Sequence, residues 1–273
     1  MIEAFKYTFV QNAVIGAVLA SIACGIIGTI IVEKKLVMMS GGIAHSSFGG
    51  IGLGYYLSIE PIIGGLLFSI ITSIGIVQIK RKTNVNSDTI IGIFWAIGMA
   101  LGILFIALTP GYPPDMTSYL FGDILTISRW DVFFMLIMDA LLLFIISSLF
   151  HYWRAYLFDD EFSKTIGISV KLYEYILFIL IACVIVLLIK IVGIILVIAL
   201  LTLPPAISKM FSESLKRMMI LSVWFGIVFC ITGFTVSYLY DIPSGATIIL
   251  VSGVFYFISI LLGTEHNVFN KNK

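Results

Sequence analysis

Residues 172–207 read LYEYILFILIACVIVLLIKIVGIILVIALLTLPPAI, and within them only Glu174 and Lys190 carry charge. A helix crosses the hydrocarbon core of a bilayer with about 20 apolar residues. This run is too long for one crossing and divides at Lys190 into spans 172–189 and 191–207. The same reading extends outward, because charged or Pro/Gly-rich breaks separate further apolar runs at 11–32, 40–58, 62–79, 89–108, 132–150, 218–239 and 247–262. The whole chain has 273 residues, 60% hydrophobic and 11% charged. An ordinary soluble domain carries roughly 25% charged residues. A mean hydropathy of +1.13 cannot come from a single anchor. The chain is therefore expected to be one all-α, polytopic transmembrane domain over residues 1–273, with 263–273 as a short cytoplasmic tail.

Residues 116–128 are amphiphilic and too short to cross, so they read as a re-entrant or interfacial segment packed against protein. The cations support that reading. With nine crossings, Lys34, Lys35, Lys80, Arg81, Lys82, Arg154, Lys164, Lys171, Lys209, Lys216, Arg217, Lys271 and Lys273 share one side. Only Lys6, Arg129 and Lys190 remain on the other. The rich side is expected to be cytoplasmic, which puts the amino terminus outside and the carboxyl terminus inside the plasma (inner) membrane of a bacterial-type cell. A tenth crossing at 116–128 would move every later loop across and largely erase the bias. An eight-span arrangement with a half-inserted second segment stays open. The first apolar run continues to Val32 behind a flank mixing Glu3 and Lys6, so it reads as a retained span and not a cleaved leader. Cys24, Cys183 and Cys230 lie in apolar runs without a paired spacing and read as buried thiols.

Polar groups are costly in hydrocarbon, so those that remain are where function is sought. His45 lies in SGGIAHSSFGGIGLGYY, residues 40–56. At 100° per residue it shares a stripe with Gly41, Gly49, Gly52 and Tyr56. A nearly bare face of this kind serves close helix packing or lines a cavity. A neutral imidazole suits zinc, manganese or iron as a ligand. The other reading is a structural histidine bonded to a neighbouring helix carbonyl. Asp139 sits mid-span in MLIMDALLL, where insertion of a carboxylate costs at least ~2.5 kcal/mol. It serves either transport or a bond to helix hydroxyls. Asp123, in SYLFGDIL, either lines a vestibule or caps a helix.

In the loop 151–171, the stretch DDEFSKTIGISV joins Asp159, Asp160 and Glu161 to Phe162, Ile166 and Ile168 around Gly167. Asp159 or Asp160 is expected to cap a short amphipathic surface helix that docks on a partner, and a solvated linker is the alternative. No GxxxxGK[ST], HExxH or GxSxG pattern occurs, so no enzymatic activity is expected and any ATP hydrolysis belongs to another subunit.

Five blocks in order, SGGIAHSSFGGIGLGYYL, SYLFGDIL, DDEFSKTIGISV, VGIILVIALLTLPPAIS and DIPSGATIIL, resemble the zinc/manganese/iron-type permeases of bacterial ABC importers. The resemblance covers nearly the whole chain. It implies a permease that pairs as a homodimer, is driven by a separate ATPase subunit and receives metal from an extracytoplasmic binding protein, with zinc, manganese or iron as transported substrate and no permanently bound cofactor. No nucleic-acid partner is expected; the remaining partner is the lipid bilayer. Many family members carry an aspartate one helical turn before the histidine that matches His45, and both are proposed metal ligands. This chain has Gly41 at that place, which favours zinc over manganese and leaves Asp123 or Asp139 as substitutes. DDEFSKTIGISV falls at the family's coupling segment. The reading from another class is an ion-coupled secondary transporter with Asp139 as its titrating group. An intramembrane enzyme would need a second metal ligand, or a nucleophile and base, facing His45.

Overall fold

The protein is described by a computed structural model covering residues 7–83, 85–111, 119–120, 122 and 126–270, with Asp160 and residues 263–270 described through their backbone alone. The described helices are α1 (Thr8–Glu33), α2 (Val37–Tyr56), α3 (Pro61–Lys82), α4 (Ser87–Leu108), α5 (Arg129–Ser148), α6 (Phe150–Phe158), α7 (Asp160–Thr165), α8 (Val170–Met210), α9 (Leu215–Tyr240) and α10 (Ser244–Asn270). No strand occurs among the described residues. Seven of these helices are long and apolar enough to cross a membrane. The glycines and serines of α2 keep it out of that group.

Helix starts follow from local chemistry. Pro61 opens α3, where its missing N–H has no partner to lose. The Asn86 side chain accepts from the Asp88 amide at the start of α4. Ser128 and Asp131 form a capping box at α5: the Ser128 hydroxyl oxygen accepts from the Asp131 amide and the Asp131 carboxylate accepts from the Ser128 amide. Within the spans, hydroxyls bond back one turn, as Thr29 does to the Gly25 carbonyl and Ser208 to that of Pro204. These two hydroxyls thereby keep their hydrogens bonded within apolar surroundings, whereas the buried hydroxyls of Ser69, Ser73 and Ser222 have no hydrogen-bond partner among the described residues.

α8 runs over 41 residues, which as a straight rod would reach about 60 Å, twice the hydrocarbon thickness. It is not straight. Gly193 has φ 77° and ψ 160°, a backbone conformation essentially reserved for glycine. Ion pairs show that the chain reverses there. Glu174 near the start of α8 bonds Lys80 and Arg81 at the end of α3. Lys190 pairs with Asp131 at the start of α5, at 3.0 Å. Lys209 pairs with Glu33 at the end of α1, at 3.1 Å. The neighbour of Glu33, Lys34, lines one cavity with Lys80 and Glu174. Both ends of α8 therefore lie at one end of the bundle, and its middle lies at the other. The two spans expected on either side of Lys190 are the two arms of this hairpin. Counted as two, and with α2 added, the described residues hold nine membrane-length segments.

α1 and α8 form the centre, each 72% buried over its most apolar window, against 22% for α4 and α10. Their closeness has a residue-level cause. Gly28 of α1 lies against the Leu201 carbonyl and the Pro205 ring of α8. Pro205 has no N–H to give the Leu201 carbonyl, and the bare glycine lets α1 approach that gap. The outer helices turn Leu67, Ile71, Ile103, Phe144 and Leu250 outward, as expected of surfaces that meet lipid.

The sequence placed one fifth span over 132–150 and one short helix beyond it. The chain instead breaks at Leu149 (φ −110°, ψ 20°), separating α5 from α6, and α6 and α7 occupy the expected loop. Most of the segment expected to be re-entrant, Asp123 included, lies outside the described residues. Its described parts pack on the core: the Asn12 amide donates to the Ile127 carbonyl at 3.0 Å, and Gly122 sits against the backbone of Val192 and Gly193 at the α8 reversal.

Candidate functional site

α2 and α4 meet backbone to backbone. A Cβ added to Gly49 would lie 3.0 Å from the Gly98 carbonyl, and one added to Gly52 would lie 2.5 Å from that of Gly102. From the other side, a Cβ on Gly98 would lie 2.5 Å from the Ser46 Cα. Residues one turn before these contacts, His45 and Trp95, are thereby forced together. Their rings stack flat, with centroids 4.2 Å apart and planes 5° from parallel. Imidazole Nδ1 is buried and has no hydrogen-bond partner, whereas the ring as a whole is half-buried. A histidine in a purely structural role would give Nδ1 a carbonyl or hydroxyl. An indole face also attracts a cationic or metal-bearing imidazole.

Gly41 is buried but unlike its stripe-mates: a Cβ there would meet only Ile198 Cδ1, at 4.0 Å. Space for a side chain thus exists one turn from His45. Asp139 sits elsewhere. It is 5% exposed on α5, its Oδ2 lacks a hydrogen-bond partner, and it lies near Cys24 of α1. Ser21 and Cys230 adjoin the same place, with the Ser21 hydroxyl 3.7 Å from Cys230 Sγ. α5 packs on α1, whereas α2 packs on α3, α4 and α8. Among the described residues no three His, Cys, Asp or Glu side chains converge as a metal cage.

At the end of the bundle that carries Lys80 and Glu174, α7 is a short, capped element. Asp159 Oδ1 accepts from the amides of Glu161 at 2.8 Å and Phe162 at 2.9 Å. The helix closes on Gly167, φ +80°, with the Ile168 amide reaching back to the Ser163 carbonyl at 2.8 Å. That bond and the left-handed glycine are a Schellman ending. Ser163 and Ile168 are buried, while Phe162 and Ile166 are 52% and 51% exposed. These two, with Arg154 and Phe158 of α6, line a shallow cavity of about 280 Å³. Glu161 is exposed beside them, and of Asp160 only the helical backbone is described.

Trp95 escaped the sequence reading. Its signal was present: FWAIGMALG places Gly98 and Gly102 three and seven residues after it, the spacing of a helix face that approaches another closely. What was missing was the pairing of that face with the stripe of α2.

The chain is similar to known proteins over almost all its length. An uncharacterized membrane protein of Synechocystis is 41% identical over 260 residues, covering 95% of this chain and 92% of that protein. The manganese import system permease protein ScaB of Streptococcus parasanguinis is 32% identical over 268 residues, covering 98% and 94%. Among solved structures, PsaBC from Streptococcus pneumoniae in complex with Fab superposes with a TM-score of 0.85 at 32% identity, over 95% of each chain. The model of the ABC 3 transport family matches residues 6–263, and the chain belongs to that family as a multi-pass membrane permease subunit, not the ATPase.

Proposed function

We propose that this subunit carries a divalent transition metal into the cytoplasm, between two copies of the chain, by alternating access. ATP is hydrolysed by a separate subunit, and an extracytoplasmic binding protein delivers the metal. The observation that carries the reading is the His45 imidazole, fixed against Trp95 in a glycine-lined crossing with a buried nitrogen that has no partner. One imidazole per chain, or two facing each other in a homodimer, is a shallow site, and transport needs a site that releases its ion. A four-ligand structural cage would hold the metal too long. The similarity to ScaB, named as a manganese import permease, supports manganese as the substrate. Gly41, where the family aspartate is absent, supports zinc, because losing a carboxylate oxygen weakens a site for the harder ion more than for zinc. Family membership favours the ATP-driven reading over ion coupling through Asp139.

His45→Ala is expected to abolish metal uptake by the reconstituted complex while the protein inserts and assembles at wild-type levels. Wild-type uptake in that variant, measured with zinc and manganese in parallel, leaves the histidine a structural role and overturns the proposal.

A further inference from the structure

A second cavity, of about 660 Å³, opens at the α7 end of the bundle. Five cationic side chains line it, Lys34, Lys80, Arg81, Lys164 and Lys171, against one carboxylate, Glu174. That carboxylate is already engaged. Its Oε1 accepts from Lys80 at 2.9 Å and its Oε2 from Arg81 Nε at 2.7 Å. Lys34 lies over the Tyr156 ring, 4.2 Å from its centroid. Lys164 and Lys171 make no ion pair among the described residues. A concentration of like charge around a concave space is unfavourable on its own and becomes favourable once an anion enters. α8 also opens onto the cavity at Ser169, adding the positive end of a long helix.

We propose that this cavity binds the phosphate of an anionic phospholipid headgroup. Phosphate is the shared chemistry, and depth selects the lipid over a soluble ion. Lys80 and Arg81 occupy the last turn of α3, immediately after its apolar stretch, which is headgroup level for a helix that crosses a bilayer. Basic pockets between transmembrane helices at that level suit such headgroups. The cavity lies on the opposite side of α7 from exposed Phe162 and Ile166, which line the other depression. A phosphate held there ties Lys164 of α7 to Lys171 of α8 and Arg81 of α3, and so sets the position of α7 from behind.

The test measures lipid retention by the purified full chain in detergent, using native mass spectrometry with phosphatidylglycerol, phosphatidylcholine or inorganic phosphate added. Phosphatidylglycerol is expected to bind with 1:1 saturation, in preference to phosphatidylcholine, and to weaken as ionic strength rises. The double change Lys164→Gln and Lys171→Gln should weaken it on the order of 20-fold, whereas Lys164→Arg with Lys171→Arg should retain it. The Arg pair guards against a Gln variant that fails to fold. Equal retention of the two lipids, or no loss in the Gln variant, overturns the site. Displacement of the lipid by inorganic phosphate alone below millimolar concentration assigns the cavity to a soluble anion and overturns the lipid. Complete displacement on adding the ATPase subunit assigns it to an acidic protein segment, with the same result.

Discussion

Around Gly41 there is room for the carboxylate that this chain lacks. The nearest atom to an added Cβ is Ile198 Cδ1, at 4.0 Å, which is ordinary van der Waals contact. The Cβ of Gly41→Asp should therefore meet no clash, and the change is expected to place an oxygen ligand one turn from the His45 imidazole. An oxygen donor strengthens binding of the harder ion more than of zinc. The expected result is a shift in manganese-over-zinc preference of roughly tenfold, about 1.4 kcal/mol of differential binding, read from competitive uptake in proteoliposomes. An unchanged ratio, with protein levels matched, would mean that position 41 does not face the ion. Among the residues singled out from sequence, His45 was visible because polarity in an apolar glycine stripe is rare. Its stacking on Trp95 was not visible, because it depends on which two helices share a glycine seam. Asp139 was equally visible, yet spacing alone does not say that α5 carries it toward Cys24 on α1 and not toward α2.

At the scale of elements, two glycines do different work from the packing glycines. Gly167 has open space around it, with no atom within 4 Å of an added Cβ, but φ +80°. Crowding is thus not its role; it permits the turn from α7 into α8. Gly167→Val costs about 1–2 kcal/mol of local strain and should unwind the Schellman ending and loosen α7. The expected phenotype is ATPase activity in the reconstituted complex that no longer rises with metal and binding protein. Cysteines at Phe162 and Ile166 should crosslink to the ATPase; absence of crosslinks at both, in an intact complex, would relocate the contact. Gly193, at the α8 reversal, predicts a stability effect. Gly193→Ala should lower the stability of the purified protein by about 1–3 kcal/mol in thermal unfolding. Gly92→Ala, on an exposed helical face with no neighbour within 4 Å, should leave it unchanged or raise it slightly. Equal effects of the two would show that the Gly193 backbone is not strained. Both arms of α8 were legible as apolar runs. The mechanism of the turn was not, because Lys190 marks the polar break, whereas the backbone reversal falls three residues later, where only the φ of Gly193 reveals it.

For the molecule as a whole, the arrangement of charges decides how it sits in the membrane. Lys80 and Arg81 with Glu174, and Lys209 with Glu33, stand at one end of the bundle; Lys190 with Asp131 stands at the other. The end with α7 also gathers Lys34, Lys164 and Lys171 around one cavity. Anionic leaflets and the insertion machinery both favour cations in cytoplasmic loops, so that end should face the cytoplasm, where the ATPase must dock. Lys82, exposed at the close of α3, and Leu57, 54% exposed just after α2, report on opposite ends. With Cys24, Cys183 and Cys230 replaced by alanine, Leu57→Cys should react with a membrane-impermeant maleimide in intact cells, and Lys82→Cys should react only after lysis. The two residues bracket a single helix, α3, so an inserted chain must expose them on opposite sides. Labelling of Lys82→Cys in intact cells, with Leu57→Cys protected until lysis, would invert the whole bundle. The α7 contact with an ATPase would then be impossible, whatever the metal.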